Sequence, residues 1–241
     1  MRAKITARMA LALSMGALPA LSQATVISFQ DGVNGYTATQ DVELRQDSPS
    51  TNFGFNANIT IDGDDASGPL DDTNALLMFG DIFGGSPNQI PLGSTINSAT
   101  LELELHNPGD NVNMLRMLTG WDESTATWDS LGNGIQDTPG EAVFTQLLTG
   151  LNGNHEDIIS IDVSADVSLW ANGADNFGWG FTPTGDDGFD FHASNHWNDG
   201  HLKPRLLVDY TAPQSSTVPE PSTILLLGLG LLGIRAGRKR R

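Results

Sequence analysis

Apolar and polar residues alternate with a period of two through much of the chain. Leu101-Glu102-Leu103-Glu104-Leu105 alternates strictly, the pattern of a strand with one face in a core and the other in water. Residues 25–29, 58–61, 75–79, 158–163 and 206–210 read as further strands. Turn chemistry separates them, as in Asp62-Gly63, Asn107-Pro108-Gly109-Asp110, Gly132-Asn133-Gly134 and Thr184-Gly185-Asp186-Asp187-Gly188. Only residues 164–171 read as a short helix, with Ser164 as its N-cap and Asn172-Gly173 as its stop. Many short strands at this spacing predict an all-β sandwich or barrel. No fixed-period repeat is present, which argues against a solenoid or propeller.

The two ends break this pattern. Arg2, Lys4 and Arg8 form a basic head, residues 9–18 are apolar, and Ser22-Gln23-Ala24 supplies a small-x-small site. These features predict a secretory signal peptide over residues 1–24, cut after Ala24. At the other end, residues 212–217 are a polar linker, followed by Val218-Pro219-Glu220-Pro221-Ser222 and a charge-free run over 223–234. The chain closes on Arg235 and the basic cluster Arg238-Lys239-Arg240-Arg241. Twelve helical residues cover only ~18 Å of a ~30 Å hydrocarbon core, so the predicted apolar helix needs its flanks and snorkelling arginines to tether the chain to a membrane. The basic tail then stays cytoplasmic and the domain faces outward.

In order and spacing, Val218-Pro219-Glu220-Pro221, the short apolar run and the Arg-rich tail resemble the PEP-CTERM sorting signal of Gram-negative bacteria. The resemblance implies an exosortase as partner, removal of the tail, an inner-membrane-tethered intermediate, and delivery to the cell surface or the extracellular polysaccharide matrix.

Charge sharpens the picture once the ends are set aside. The whole chain has 12 basic and 29 acidic residues, a net charge of −17. Residues 25–211 keep four basic side chains (Arg45, Arg116, Lys203, Arg205) against 28 acidic ones, a formal charge of −24. A nucleic-acid partner is excluded, since phosphate binding needs a basic patch. An anionic polysaccharide becomes a partner only through bridging divalent cations. With no Cys in the chain, disulfides, thiolate nucleophiles and Cys-ligated metals are excluded as well.

Several segments of residues 25–211 together resemble the DNRLRE domain, a family of secreted β-sandwich modules. They are Asp47-Ser48-Pro49-Ser50-Thr51-Asn52-Phe53-Gly54, Ala75-Leu76-Leu77-Met78-Phe79, the stretch from Gly93 through Ile96 and Ala99 to Leu101, and Trp121-Asp122-Glu123-Ser124-Thr125-Ala126-Thr127-Trp128. Asp162-Val163-Ser164 with Trp170, Asn176-Phe177-Gly178, and Phe191 to Ser194 followed by Pro204 to Tyr210 complete the series. Asn195 departs from the acid often found there, and the acidic stretch over 62–72 is an insertion. The resemblance implies a jelly-roll-like β-sandwich related to carbohydrate-binding modules for extracellular polysaccharide.

Candidate chemistry is sparse. Asp62, Asp64, Asp65, Asp71 and Asp72 place five carboxylates in eleven residues, a donor set suited to calcium, although position twelve is Thr73 and the loop is no EF-hand. The other reading is a solvated acidic loop. His192 and His196 lie four apart, but zinc needs a third ligand; surface or hydrogen-bonding histidine is the simpler reading. Trp128 and Trp170 are expected in the core. Trp197, in a polar loop with Asn195 and His196, is the candidate platform for stacking a pyranose ring. Asp122 and Glu123 are expected to cap and brace the 121–128 loop. No nucleophile elbow, His-Glu-x-x-His or phosphate loop is present. The expectation is a non-catalytic exported surface or matrix protein that binds extracellular polysaccharide. The alternatives are a structural or adhesive protein without a glycan, and a polysaccharide-cleaving enzyme.

Overall fold

Two antiparallel sheets face each other across an apolar core. The computed structural model describes residues 23–63, 71–197 and 203–214, and residues 23–213 form one compact unit. In chain order the elements are β1 (Ala24–Phe29), β2 (Thr39–Arg45), β3 (Asn58–Ile61), β4 (Thr73–Phe79), β5 (Thr95–Asn107), β6 (Val112–Met117), a 3₁₀ turn (Asp129–Leu131), β7 (Ala142–Leu148), β8 (Ile158–Asp162), α1 (Ser164–Ala171), β9 (Trp179–Pro183), β10 (Phe189–His192) and β11 (Arg205–Thr211). One sheet runs β1-β11-β5-β10-β3, with β8 also paired to β5; the other runs β2-β4-β9-β6-β7. Sequence neighbours are repeatedly split between the two sheets, the connectivity of a β-sandwich.

β5 is the spine of the first sheet. Its strict alternation sends Leu101, Leu103 and Leu105 inward, each fully buried, while Glu102 and Arg205 form an ion pair across the β5–β11 ladder. The inward leucines meet Ile59, Ile61, Phe189, Phe191 and Val208 from their own sheet, and Ala75, Leu77, Met114 and Phe181 from the other. In β4 the run Ala75-Leu76-Leu77 is apolar without alternation because both faces are covered. Ala75 and Leu77 belong to the inter-sheet core. Leu76 belongs to a second cluster with Val42, Leu44, Leu115 and Met117, which Trp128, Leu131 and Ile135 roof over. The connection between β6 and β7 is therefore a lid on the outer face of the second sheet.

Helix α1 occupies the expected residues, but its start differs from the expectation. Val163 holds the N-cap position and no side chain caps the helix. The Ser164 hydroxyl instead accepts the Ala99 N–H of β5 at 2.8 Å and donates to Asp162 Oδ1 at 2.6 Å, so it ties the helix to the sheet. At the other end Asn172 is the C-cap and Gly173 takes φ +97, a left-handed residue that glycine adopts without steric cost.

Trp170 and Trp179 meet in the core at a ring-centroid distance of 4.9 Å. Trp179 Nε1 donates to Asp166 at 2.9 Å, and Asp166 pairs with Arg116 at 3.1 Å. Burial pushes the Asp166 carboxyl up, against the opposing pull of Trp179 and Arg116.

Several expectations lie outside the described residues: the signal peptide up to residue 22, Asp64 and Asp65, the sorting motif Val218, Pro219, Glu220 and Pro221, and the apolar helix over 223–234. Ala24, the residue expected at the cleavage point, opens β1 and pairs with Thr211. Among the described residues no helix is long and apolar enough to cross a membrane.

Candidate functional site

The 193–197 loop that leaves β10 carries the three residues expected to bind a sugar, and the structure gives them different roles. Trp197 stands 79% exposed, the most exposed large apolar side chain among the described residues. His196 is buried and lies under it, with ring centroids 5.6 Å apart and planes 27° from parallel. Asn195 is exposed, and its amide donates to Gly54 O at 2.8 Å and to Glu123 Oε1 at 3.2 Å. Trp197 is thus presented outward, while His196 and Asn195 hold its support.

The anchoring beneath this loop is charged and buried. Ser194 N–H donates to Asp41 Oδ2 at 2.7 Å, and Ala193 N–H to Ala57 O at 3.0 Å. Asp41 comes from β2 and is wholly buried; its own N–H donates to Glu123 Oε1 at 3.3 Å. Burial pushes the Asp41 carboxyl up to about 7, only partly offset by the Ser194 hydrogen bond, and burial also raises Glu123. Asn52 donates to the Glu123 and Ala126 carbonyls at 2.7 and 2.8 Å. A Cβ on Gly54 would lie 2.2 Å from Glu123 O, so the backbones of these two segments touch and only glycine fits between them. The 52–54, 121–128 and 191–195 segments converge here as a brace.

Asp122 and Glu123 accordingly brace the loop, as expected from the sequence. Asp122 Oδ1 accepts from both the Ser124 hydroxyl and its N–H, at 2.5 and 2.9 Å, and these bonds hold its carboxyl below the usual value. Asp41, the hub of the brace, went unremarked in the sequence. Its only signal is an acid in a strand at a position that alternation assigns to neither face cleanly.

A second assembly gathers at β5 and β10 of the first sheet. His106 (β5), His155 (in the β7–β8 connection), and His192 (β10) with His196 just after it come from three separate segments. Ring-centroid distances are 5.3 Å for His106–His155, 5.1 Å for His106–His192 and 4.2 Å for His192–His196. With Trp197 they make a continuous series of rings from the buried sheet face to solvent. Sequence spacing showed only His192 and His196; the other two are distant in the chain. His192 Nδ1 sits 2.8 Å from Asn58 Oδ1 across the β10–β3 ladder. Burial and the neighbouring imidazoles press its pKa down to about 4.

Of the acidic loop, the structure describes Asp62, Asp71 and Asp72. Asp62 and Thr73 exchange backbone hydrogen bonds at 3.1 and 2.8 Å, which brings the two ends of the loop together. Asp72 O accepts the Gln46 N–H at 3.0 Å. Beside the Glu102–Arg205 ion pair, a groove of about 340 Å³ is lined by Gln30, Glu104, Ile158 and Lys203. Trp128 and Trp170 are buried, as expected of core residues.

Comparison with known proteins identifies one module by sequence. Residues 217–241 match the PEP-CTERM protein-sorting motif. The chain is therefore an exported protein, processed by an exosortase and sorted to the cell surface. A search of the curated proteins finds no match.

Proposed function

We propose that this exported β-sandwich is a non-catalytic surface or matrix protein of a Gram-negative bacterium that binds extracellular polysaccharide, with Trp197 as the stacking platform. The observation that carries the reading is the contrast within one loop. Trp197 is 79% exposed, yet the residues beside it are held by Asp41, Glu123, Gly54 and Ala57. An indole kept outward on a fixed loop offers an apolar face to the C–H face of a sugar at little ordering cost. The resemblance of the domain to DNRLRE modules supports the same reading, as does the destination set by the sorting signal. The charge of the domain favours a neutral glycan, or an anionic one bridged by calcium, and the Asp62, Asp64, Asp65, Asp71, Asp72 loop is the proposed calcium site.

The test is retention of the purified protein on the producing cell's exopolysaccharide. Retention that drops at least tenfold in Trp197→Ala, with unchanged melting, supports the reading. Equal retention of both forms refutes the platform, and release of reducing ends or unsaturated products refutes the non-catalytic assignment.

One observation favours an adhesive role without a glycan. The edge strand β7 exposes Val143, Phe144 and Leu147, and an apolar edge with open backbone groups is a template for pairing with another chain. Blank glycan binding combined with loss of cell aggregation in Phe144→Lys would select this reading.

A further inference from the structure

We propose that His106, His155 and His192 form a binding site for a divalent transition metal of the zinc class. The argument begins with spacing. A metal–nitrogen bond of about 2.0–2.1 Å and a tetrahedral angle place the centroids of two imidazoles on one ion about 5.2 Å apart. His106–His192 and His106–His155 are 5.1 and 5.3 Å apart. His106 thus stands between two partners, each at the separation that a shared ion imposes.

The donor atoms have the right character. Asn58 Oδ1 accepts from His192 Nδ1 at 2.8 Å, which leaves Nε2 with its lone pair. This is the arrangement in which a second partner fixes the tautomer of a metal-ligating histidine. His106 Nδ1 is buried and has no hydrogen-bond partner. A buried nitrogen without a partner costs free energy unless some ligand satisfies it. Its position has a local cause: Asp190 pairs with Asn107 and Phe191 with Leu105, so His106 is the extra residue of a β-bulge, a device that re-aims a side chain.

Access and closure come from His155. Its side chain is 55% exposed. Its loop is stitched to β5 by Glu156 N–H to Leu105 O at 2.7 Å and Leu105 N–H to Asp157 O at 2.9 Å. Among the described residues no three His, Asp or Glu side chains are already arranged to hold a metal ion, and His155 Nδ1 lies 3.6 Å from Glu156 Oε1, so binding requires the exposed His155 ring to leave that contact and turn toward His106 and His192. Three imidazole nitrogens with a fourth position open to water match the preference of zinc, copper and nickel for nitrogen donors. The bound ion would tie the β7–β8 connection and β10 to β5. This site is independent of the polysaccharide reading.

The test uses full-length protein stripped with EDTA, dialysed into excess calcium to saturate the acidic loop, and titrated with zinc chloride or nickel chloride. Calorimetry is expected to show one ion per chain with a rise in melting temperature, and at least tenfold weaker affinity in His155→Ala and in His106→Gln. His155→Ala removes an exposed side chain and keeps the fold, so it reports binding without a folding artefact. Absence of heat and of a melting shift in the native protein, or an equal response in His155→Ala, overturns the proposal. Loss of zinc binding with polysaccharide retention intact would separate this site from Trp197.

Discussion

Asp41→Asn offers the sharpest reading of the brace under the Trp197 loop. The Asp41 carboxylate is wholly buried, and its pKa is pushed up to about 7 by that burial. In the unfolded chain it titrates near the ordinary carboxylate value of about 3.9. Between about pH 4 and 7 the folded state therefore binds more protons than the unfolded state, and stability falls as pH rises through this window. The full displacement corresponds to roughly 4 kcal/mol, of which roughly 3 kcal/mol accrues between pH 5 and pH 8.5. Asparagine keeps an oxygen to accept the Ser194 N–H and carries no charge at any pH. Burial of Asp166 and Asp190 acts with the same sign and that of His192 with the opposite sign, and these cancel when variant and parent are compared; Glu123 is raised as well and in turn raises Asp41, so its charge is part of the coupling that the variant removes. Urea unfolding followed by tryptophan fluorescence at both pH values is the assay. The stability of Asp41→Asn relative to the parent is expected to improve by roughly 3 kcal/mol from pH 5 to pH 8.5. A difference that stays constant within about 0.5 kcal/mol would refute a charged Asp41 in the folded core.

Other outcomes follow from the same packing. Trp128→Ala removes the roof of the second cluster and is expected to cost about 3–5 kcal/mol in urea unfolding, whereas Trp197→Ala is expected to change stability by no more than about 0.5 kcal/mol; equal losses would sink the division between core and platform. Gly178→Ala forces alanine into φ +67 with its Cβ 2.1 Å from Leu77 O, and is expected to cost more than about 2 kcal/mol, measured the same way. Calcium is expected to raise the melting temperature through mass action on the 62–72 loop, and a melting curve indifferent to both calcium and EDTA would dismiss that site.

The legible parts of the fold were strands with a single dry face and the unbroken apolar run of β4. β8 and β11 alternate because one side meets the core and the other is open, β5 alternates although its outward Glu104 is itself buried, and α1 was bounded by its Asn172-Gly173 stop. β2, β6, β7, β9 and β10 were not read as strands. Asp41 and Glu43 in β2 are buried acids, which break an apolar pattern. Trp179-Gly180-Phe181 in β9 is covered on both faces, so alternation has nothing to report.

The sequence by itself determined the C-terminal sorting signal and the all-β class of the protein. A sorting motif is read linearly by its processing enzyme, and charge is a sum over residues; neither needs a fold. Trp197 was also legible, as an aromatic ring in a polar stretch with no core pattern around it. Which residues support it was decided by tertiary structure, since Asp41, Glu123 and Gly54 are 153, 72 and 141 residues from their partners in the 194–195 segment. The histidine series is the extreme case. Two of its members stand four apart in the chain, while His106 and His155 reach them only because β5 pairs with β10 on one side and carries the β7–β8 connection on the other. Side-chain chemistry is written locally, but the convergence of donors on one point is set by strand pairing over long separations.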